Sequence, residues 1–254
     1  MTKMSSIKLD VLLSPEEFEA LPGCDMSATD CVVFDVLRAT STMTVALANG
    51  ATGILPCGTI DEAVAVREAD PKLLLAGERD GLRITASVSG GVDFDLGNSP
   101  REMIAEVVSG RPLAMTTTNG TRALKACAGA RRVWIGSFLN LTALGQAIRG
   151  AAPERLLLVC AGTGNDTALE DVLGAGALCD LLWGDLGQEA SEAARHACEQ
   201  YRGSRDQLLE AGGQAANGRR LLGIADLAAD VPFCFQRDSF SVVGELGTDG
   251  WIVG

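Results

Sequence analysis

The chain contains 254 residues, which is enough for one large domain or two small ones. Hydrophobic residues make up 47% of it and aromatic residues only 4%, so a substantial and mainly aliphatic core is expected. The net charge of −12 argues against a nucleic-acid-binding surface. An acidic protein that binds an anion must gather positive charge locally, through arginines, helix N-termini or a bound cation.

The N-terminal stretch and the cysteines predict a cytoplasmic protein. The opening "MTKMSSIKLDVLLS" lacks the long apolar run of a signal peptide, and no stretch of the chain reaches the ~18 apolar residues of a membrane span. The eight cysteines are scattered without a CxxC pair. They are therefore expected to be reduced, mostly buried thiols rather than a disulfide or zinc framework.

Short apolar runs that predict strands alternate with helical patterns along most of the chain. In chain order the strand candidates are "KLDVLL", "CVVFDVL", "GILP", "KLLLAG", "PLAMT", "RVWIG" and "RLLLVCAG". The helical candidates are "STMTVALANG", "IDEAVAVREAD", "SPREMIAEVVSG", "NGTRALKACAG", "LNLTALGQAIRG" and "ALEDVLGAGALCDLL". This alternation predicts an α/β fold with a largely parallel sheet, and the continuous hydrophobicity of "RLLLVC" is typical of a strand covered on both faces.

The pattern changes after Trp183. Charged helical sequence that begins with "QEASEAARHACEQYRG" continues to about Ala229. We expect residues 184–229 to form a helical appendage within a single domain of residues 1–254. The last segment, "SFSVVGELGTDGWIVG", predicts one or two closing strands, antiparallel at an edge of the sheet.

Four predicted strand-to-helix junctions are rich in small hydrogen-bonding residues. In a parallel sheet such turns lie along the carboxyl edge, where α/β proteins bind ligands. Ser, Thr, Asn and Gly offer donors with little bulk to a phosphate, and the helix N-termini add the positive ends of their dipoles. The expected substrate-binding residues of these junctions are Thr40, Ser41, Thr118, Asn119, Gly120, Thr121, Ser137, Asn140, Gly162 and Thr163.

The alternative is that these residues are ordinary N-caps and turn formers, and for any single junction that interpretation is the better one. Two of the four junctions also carry an arginine, Arg38 and Arg122. The recurrence of the pattern therefore favours an anion site.

Several carboxylates accompany the junctions. Asp35 lies inside the apolar run "VVFDVL", where a carboxylate is costly unless it is paired or bound to metal. Glu78 ends "LLLAGERDG", whereas the neighbouring Asp80 is expected to be a surface charge. Glu170 and Asp171 follow the fourth junction, where a helix dipole alone would also favour acids. Oxygen-rich groups of this kind suit Mg²⁺, which prefers one or two carboxylates, water and substrate phosphate.

Several reaction classes are disfavoured. The single histidine, His196, lies on a polar helical segment and is expected to be exposed, which argues against a Ser-His-Asp triad or a histidine-based zinc site. No GK[ST] is present, hence no P-loop. "AGTGNDT" begins like a dinucleotide fingerprint but has Thr167 in place of the third glycine. A nucleotide-dependent oxidoreductase and a non-catalytic phosphate-binding protein remain the alternatives to an enzyme acting on a phosphoester.

Taken together, six stretches resemble the 2-phosphosulfolactate phosphatase family. They are "DVLRATST", "LAGERDGL", "FDLGNSP", "TTTNGTRAL", "GSFLN" and "AGT…LEDVLGAG", in the order that the family has them, between about Asp10 and Leu182. The chain departs from the family by a longer connection, "TASVSGGVD" at residues 85–93, and by the order Gly164-Asn165 at the fourth junction.

The resemblance implies a Mg²⁺-dependent phosphatase with a three-layer α/β/α fold. Its implied substrate is a small anionic phosphoester, 2-phosphosulfolactate, which would yield 3-sulfolactate and phosphate in a step of coenzyme M biosynthesis. The implied site positions are Asp35, Arg38, Glu78, Arg79, Asn98, Asn119, Arg122, Glu170 and Asp171, and Ser99 lies beside them in "FDLGNSP".

These residues lead to a hypothesis for the reaction. Mg²⁺ held mainly by Asp35 and Glu78, with Glu170 and Asp171 as further candidate ligands, would bind the substrate phosphate. Arg38 and Arg122 would clamp the phosphate, and Arg79 and Asn140 would hold the other acidic groups of the substrate. Direct attack by water is favoured over a phosphorylated Asp35. Neither nucleic acid nor a membrane is expected as a partner, and a homodimer is plausible for so aliphatic a chain.

Overall fold

The computed structural model describes residues 7–184 and 189–254 and contains a ten-stranded mixed sheet. The strands are β1 Lys8–Leu12, β2 Thr29–Phe34, β3 Gly53–Pro56, β4 Leu74–Arg79, β5 Leu82–Arg83, β6 Pro112–Thr116, β7 Arg132–Gly136, β8 Arg155–Cys160, β9 Glu245–Leu246 and β10 Ile252–Val253. All seven strands predicted from apolar runs are present, and the expected α/β class is confirmed.

Helices cover both faces of the sheet. They are α1 Pro15–Phe18, α2 Ala39–Ala48, α3 Ile60–Ala69, α4 Ala86–Ser89, α5 Ala105–Val108, α6 Gly120–Ala126, α7 Leu141–Ala151, α8 Leu169–Leu182, α9 Glu192–Ser204, α10 Leu208–Gln214, α11 Ala216–Leu222 and α12 Asp230–Cys234. None of the helices in the described ranges is both long and apolar enough to pass through a lipid bilayer.

The strand β2 shows why three layers form. It is buried along its whole length, and its side chains alternate between the two faces of the sheet. Val32 and Phe34 belong to a core beneath α7, α8 and α9, whereas Cys31 and Val33 belong to a second core beneath α2 and α6. A strand with helices on both faces must be apolar on both, which explains the continuous apolar run in the sequence.

The sheet consists of two parallel sets of strands joined by a hairpin. The strand order is β1-β8-β2-β7-β9-β10-β3-β6-β4-β5. Pairing is parallel from β1 to β7 and again from β3 to β4, but β9 and β10 pair antiparallel with each other and with their neighbours β7 and β3. The expectation that the closing strands lie at an edge was wrong, because the C-terminal hairpin occupies the middle of the sheet.

The three antiparallel pairings at this hairpin reverse the direction of the second set relative to the first. Residues at the carboxyl ends of β2, β4 and β6 nevertheless line one cleft, to which Asp35, Glu78 and Thr118 all contribute.

Two further expectations need correction. "SPREMIAEVVSG" forms no continuous helix: a 3₁₀ turn at Pro100–Glu102 and the short α5 are separated at Met103, whose buried carbonyl accepts a hydrogen bond of 2.6 Å from Asn49. The C-terminal helices are present as predicted, but they are more than an appendage, because α11 forms one wall of the cleft. The eight cysteines are free and all but Cys24 are buried, which confirms that prediction.

Candidate active site

A cleft of about 320 Å³ lies where the ends of β2, β4, β6 and β8 face the helix α11. Its walls are mostly polar or charged. The lining residues are Asp35, Leu37, Arg38, Glu78, Asp80, Gly81, Asn98, Thr118, Asn119, Thr163, Gly164, Asn217 and Arg220. Of the four predicted junctions, three contribute to this cleft, and they do so from both parallel sets of the sheet.

Asp35 lies at the bottom of the cleft, directly after β2. Its Oδ1 accepts a hydrogen bond of 3.1 Å from the backbone N–H of Ala39 at the start of α2. Its Oδ2 lies against Gly120 at the start of α6, so close that a Cβ added there would be 2.6 Å away. Burial is the largest of the effects that raise the pKa of Asp35 to about 7; the charges of Glu78 and Glu170 act in the same direction, and the N–H groups of Ala39 and Gly120 oppose the shift.

Glu78 joins two of the loops that form the cleft. Its Oε2 accepts from the backbone N–H of Gly81 at 2.7 Å, and its Oε1 accepts from the N–H and the hydroxyl of Thr118 at 2.9 and 3.0 Å. Asp80 and Gly81 form the two-residue turn between β4 and β5, both with positive φ, as a type I′ hairpin requires. Asp80 is exposed as expected, but it also lines the rim of the cleft.

Arg38 is a buried cation with a buried partner. Its Nη1 lies 2.7 Å from Oδ2 of Asp230 at the start of α12, and its Nη2 donates to the carbonyl of Gly81 at 2.7 Å. The other oxygen of Asp230 accepts from the hydroxyl of Ser99 at 2.7 Å. Asp230 also lies 3.6 Å from Nη1 of Arg101, so this one carboxylate faces two guanidinium groups.

Two amide oxygens of the cleft, Asn98 Oδ1 and Asn119 Oδ1, are buried without a hydrogen-bond partner among the described residues. Buried acceptors of this kind need a donor or a cation. Together with Asp35 and Glu78 they provide four hard oxygen ligands, the donor type that Mg²⁺ prefers. Within the described ranges no group of three or more Asp, Glu, Cys or His residues is arranged to hold a metal.

Comparison with known proteins identifies the family. The family model described as 2-phosphosulpholactate phosphatase matches residues 16–249. Similar proteins named "Probable 2-phosphosulfolactate phosphatase" occur in Thermotoga petrophila, at 37% identity over 89% of this chain and 92% of the relative, and in Deinococcus radiodurans, at 38% identity over 85% and 86%. A third relative with that name, from Caldanaerobacter subterraneus, is 34% identical over 91% and 93%.

The chain belongs to the 2-phosphosulfolactate phosphatase family. This confirms the resemblance carried by the six motifs. The protein is accordingly an enzyme of the phosphoric monoester hydrolase class, which leaves the oxidoreductase and the non-catalytic alternatives without support.

Only some of the predicted site residues lie together in the cleft. Eight of the predicted positions line the cleft or form its floor: Asp35, Arg38, Glu78, Asn98, Thr118, Asn119, Gly120 and Thr163. Ser99 lies behind them, bonded to Asp230. The longer connection at residues 85–93 contributes no side chain to the cleft.

Several junction hydroxyls are used inside the fold. Thr40 Oγ1 donates to the carbonyl of Gly136 at 2.7 Å, and Ser41 Oγ donates to that of Val36 at 2.9 Å. Thr121 Oγ1 donates to the carbonyl of Thr117 at 3.0 Å. These residues are fully buried and connect strand ends to the helices that follow, as the turn-former interpretation expects.

The third junction likewise faces inward. Asn140 Oδ1 accepts from the N–H of Ser137 at 3.1 Å, and its Nδ2 donates to the carbonyl of Val242 at 3.2 Å. Both side chains are completely buried. This junction therefore fixes the segment leading into β9 and does not contribute to the cleft, in contrast to the substrate-binding role predicted for it.

Two predicted arginines also point elsewhere. Arg122 extends from α6 toward α1, where it forms an ion pair with Glu19 on the surface. Arg79 donates to the carbonyl of Glu78 at 2.6 Å and to the hydroxyl of Thr116 at 3.1 Å. Neither lines the cleft, so the clamp expected from Arg122 and the substrate contact expected from Arg79 have no geometric basis here.

Asp171, the second acid after the fourth junction, is held by backbone groups. Both oxygens of Asp171 accept backbone N–H groups, from Val36 at 2.8 Å and from Gly162 at 3.0 Å. Asp171 thus fastens the end of β2 to the end of β8, and burial holds its pKa well above the ordinary range. The predicted role as a metal ligand does not match this geometry. Gly162 serves the same tight turn, with φ +71° and no room for a Cβ beside Pro15.

Sequence reasoning missed Asp230, Asn217 and Arg220. Asn217 and Arg220 belong to the segment predicted as an appendage, and Asp230 follows it. In one sequence they look like ordinary polar residues of short helices. No motif marks them, because their neighbours in the cleft come from distant parts of the chain.

Proposed function

We propose that the protein hydrolyses a small acidic phosphate monoester, 2-phosphosulfolactate, to 3-sulfolactate and phosphate with bound Mg²⁺. The observation that carries the proposal is one cleft in which the carboxylates of Asp35 and Glu78 accompany two buried amide oxygens without partners and a buried arginine. Family membership supports the reaction type, and the names of the relatives support the substrate.

The metal would be held by Asp35 and Glu78, with the amide oxygens of Asn98 and Asn119 available beside them. When bound, Mg²⁺ would polarise the phosphate and lower the pKa of a coordinated water. It would also offset the negative charge that Asp35, Glu78 and Asp80 give to the cleft. This is the local positive charge that an acidic protein needs in order to bind a polyanion.

Arg38 is the phosphate-binding group of the proposal. Its guanidinium is fixed by Asp230 and by the carbonyl of Gly81, so it is held ready to donate to a phosphate oxygen without a further loss of side-chain freedom. The hydroxyl of Thr163, which accepts a hydrogen bond from Asn217, also lines the cleft and adds a neutral donor, whereas the hydroxyl of Thr118 already donates to Glu78.

A carboxylate of the cleft is the proposed proton acceptor, because no histidine lines the cleft. The water oxygen forms a bond to phosphorus as the bond from phosphorus to the ester oxygen breaks. The proton taken from the water is passed to the ester oxygen, which leaves as the hydroxyl of the product. In the metal-free protein the pKa of Asp35 is raised to about 7, but a cation bound to its carboxylate would lower that pKa, so the acceptor is a carboxylate oxygen that the metal leaves free.

The proposal is tested by phosphate release from 2-phosphosulfolactate. Wild type is expected to be active with Mg²⁺ and inactive with excess chelator. D35N and E78Q should each lose on the order of 10²–10⁴-fold in kcat, because each removes a proposed ligand of the metal. D206N, which changes an exposed aspartate outside the cleft, is the matched control and should keep full activity. Full activity of D35N, or of wild type in chelator, would refute the proposal.

The remaining expectations belong to the same proposal. A cytoplasmic location, a homodimer and a place in coenzyme M biosynthesis stay predictions from sequence and resemblance. Binding of a small anionic phosphoester rather than nucleic acid agrees with the net charge of −12.

A further inference from the structure

Three hydrogen-bonded side chains, those of Glu170, Asn217 and Arg220, lead from the buried interior to the rim of the cleft. The amide nitrogen of Asn217 on α11 donates to Oε1 of Glu170 at 2.6 Å and to the hydroxyl of Thr163 at 2.5 Å. The amide oxygen of Asn217 accepts from Nη2 of Arg220 at 3.1 Å. Asn217 and Glu170 are buried, whereas Arg220 is exposed at the mouth of the cleft.

Arg220 differs from Arg38 in its charge environment. Arg38 is neutralised by the buried Asp230, but within the described part of the chain Arg220 forms no ion pair with a carboxylate. Its guanidinium reaches across the mouth toward the β4–β5 turn, since a Cβ added at Gly81 would lie 3.1 Å from Nη1 of Arg220. Arg220 is therefore the cleft arginine without a direct carboxylate partner, and its charge acts on the buried Glu170 only from a distance, opposing the rise in the pKa of that carboxyl.

The proposed substrate has anionic groups that would pair with this cation. Besides its phosphate it carries a carboxylate and a sulfonate, and the cleft also contains Asp35, Glu78 and Asp80. A second anionic group beside these acids needs a cation of its own. A planar guanidinium binds two oxygens of a carboxylate or a sulfonate at once.

We propose that Arg220 binds the second acidic group of the substrate, the carboxylate or the sulfonate, and that Asn217 and Glu170 position it. The inference rests on the proposed function and assigns to Arg220 the role that sequence analysis gave to Arg79 and Asn140. Glu170 is then a positioning residue: one of its oxygens holds Asn217, which in turn orients Arg220.

The test compares two phosphoesters. One is 2-phosphosulfolactate, and the other is glycerol 2-phosphate, which has the phosphate but neither acid. R220Q is expected to lower kcat/KM for 2-phosphosulfolactate about 10- to 100-fold, mainly through KM, the range typical of a lost charged hydrogen bond. For glycerol 2-phosphate the change should stay within about threefold. R220K should restore part of the selectivity because it keeps the charge without the planar fork.

Further variants separate positioning from folding. R219Q changes the neighbouring exposed arginine, which does not line the cleft, and should leave both substrates unaffected. N217A should reduce the selectivity between the two esters in the same direction as R220Q. An equal loss with both esters would place Arg220 on the phosphate and overturn the inference, as would an unchanged selectivity.

A binding measurement distinguishes this inference from the proposed function. Calorimetric titration with 3-sulfolactate, which has both acids and no phosphate, should give at least about tenfold weaker binding to R220Q than to wild type. If wild type releases no phosphate from either ester but this difference persists, the reaction assignment fails while the role of Arg220 stands. Equal binding to both proteins overturns the inference about Arg220.

Discussion

Asp35, the proposed metal ligand, has an unusually high cost of ionisation. Its carboxylate is buried beside two other acids, so in the metal-free protein the proton stays bound up to a pKa of about 7 instead of the ordinary 3.8. Between these two pH values the folded state holds a proton that the unfolded state has released. The contribution of Asp35 to the free energy of unfolding therefore falls as the pH rises through that window.

The variant D35N removes this titration. In chelator, the free energy of unfolding of wild type relative to D35N should fall by a few kcal/mol between pH 4 and pH 7, because each pKa unit corresponds to about 1.4 kcal/mol. Urea denaturation at several pH values measures the difference. D206N should follow wild type at every pH, and parallel profiles of wild type and D35N would contradict the pKa assigned to Asp35.

The predicted residues that failed to reach the cleft share a physical cause. A motif such as "TTTNGTRAL" predicts that a turn lies near the ligand, but it cannot tell which side of the following helix faces it. Arg122 lies two residues after Gly120, which touches Asp35, yet its side chain points to Glu19 on the opposite side of α6. Asp171 follows Glu170, yet its carboxylate is consumed by backbone N–H groups.

At the level of elements, the first residue of α6 determines how closely this helix can approach Asp35. Gly120 is buried, and a Cβ there would lie 2.6 Å from Asp35 Oδ2 and 2.7 Å from the Cβ of Ala39. The helices α2 and α6 can both direct N–H groups at Asp35 only because this position has no side chain. The glycine is therefore needed for close approach and not for a positive φ.

The substitution G120A tests this packing. Alanine favours a helix by about 1 kcal/mol over glycine, but at position 120 the added methyl group should instead destabilise the protein by about 1–3 kcal/mol and reduce activity. G150A is the matched control, since Gly150 lies in α7 with open space around it and should give equal or higher stability. Thermal unfolding followed by circular dichroism measures both, and a neutral G120A would contradict the packing argument.

The elements themselves were largely predictable, because apolar runs and helical periodicity report burial directly. The seven main strands follow from sequence, as does the series of helices from α6 to α8. The role of α11 was hidden, because a short helix with exposed arginines looks like surface. Its contact with the cleft depends on tertiary packing of the C-terminal segment, which no local pattern encodes.

For the whole molecule, the central feature is the C-terminal hairpin between the two parallel sets. Ile252 of β10 is fully buried and pairs with both Leu246 and Ile54. The sequence predicted closing strands and their antiparallel direction but placed them at an edge. Two-residue strands carry too little pattern to indicate which neighbours they pair with.

The variants I252A and V253A together measure how much the hairpin contributes to the free energy of unfolding. I252A should lower the free energy of unfolding by about 2–5 kcal/mol, as expected for an isoleucine lost from a packed core. V253A is the control, since Val253 is 48% exposed on the same strand and should cost less than about 1 kcal/mol. Similar values for both variants would show that the hairpin does not join the sheet as described.

The position of this hairpin has a consequence for biosynthesis. The strands that join the two halves come after all the other strands in the chain, so a growing polypeptide has both halves before it has the link between them. Until β9 and β10 have been synthesised, the borders of β7 and β3 have no partners, and the ends of β2 and β4 are not held together. We therefore expect catalytic competence to arise only after this hairpin has emerged from the ribosome.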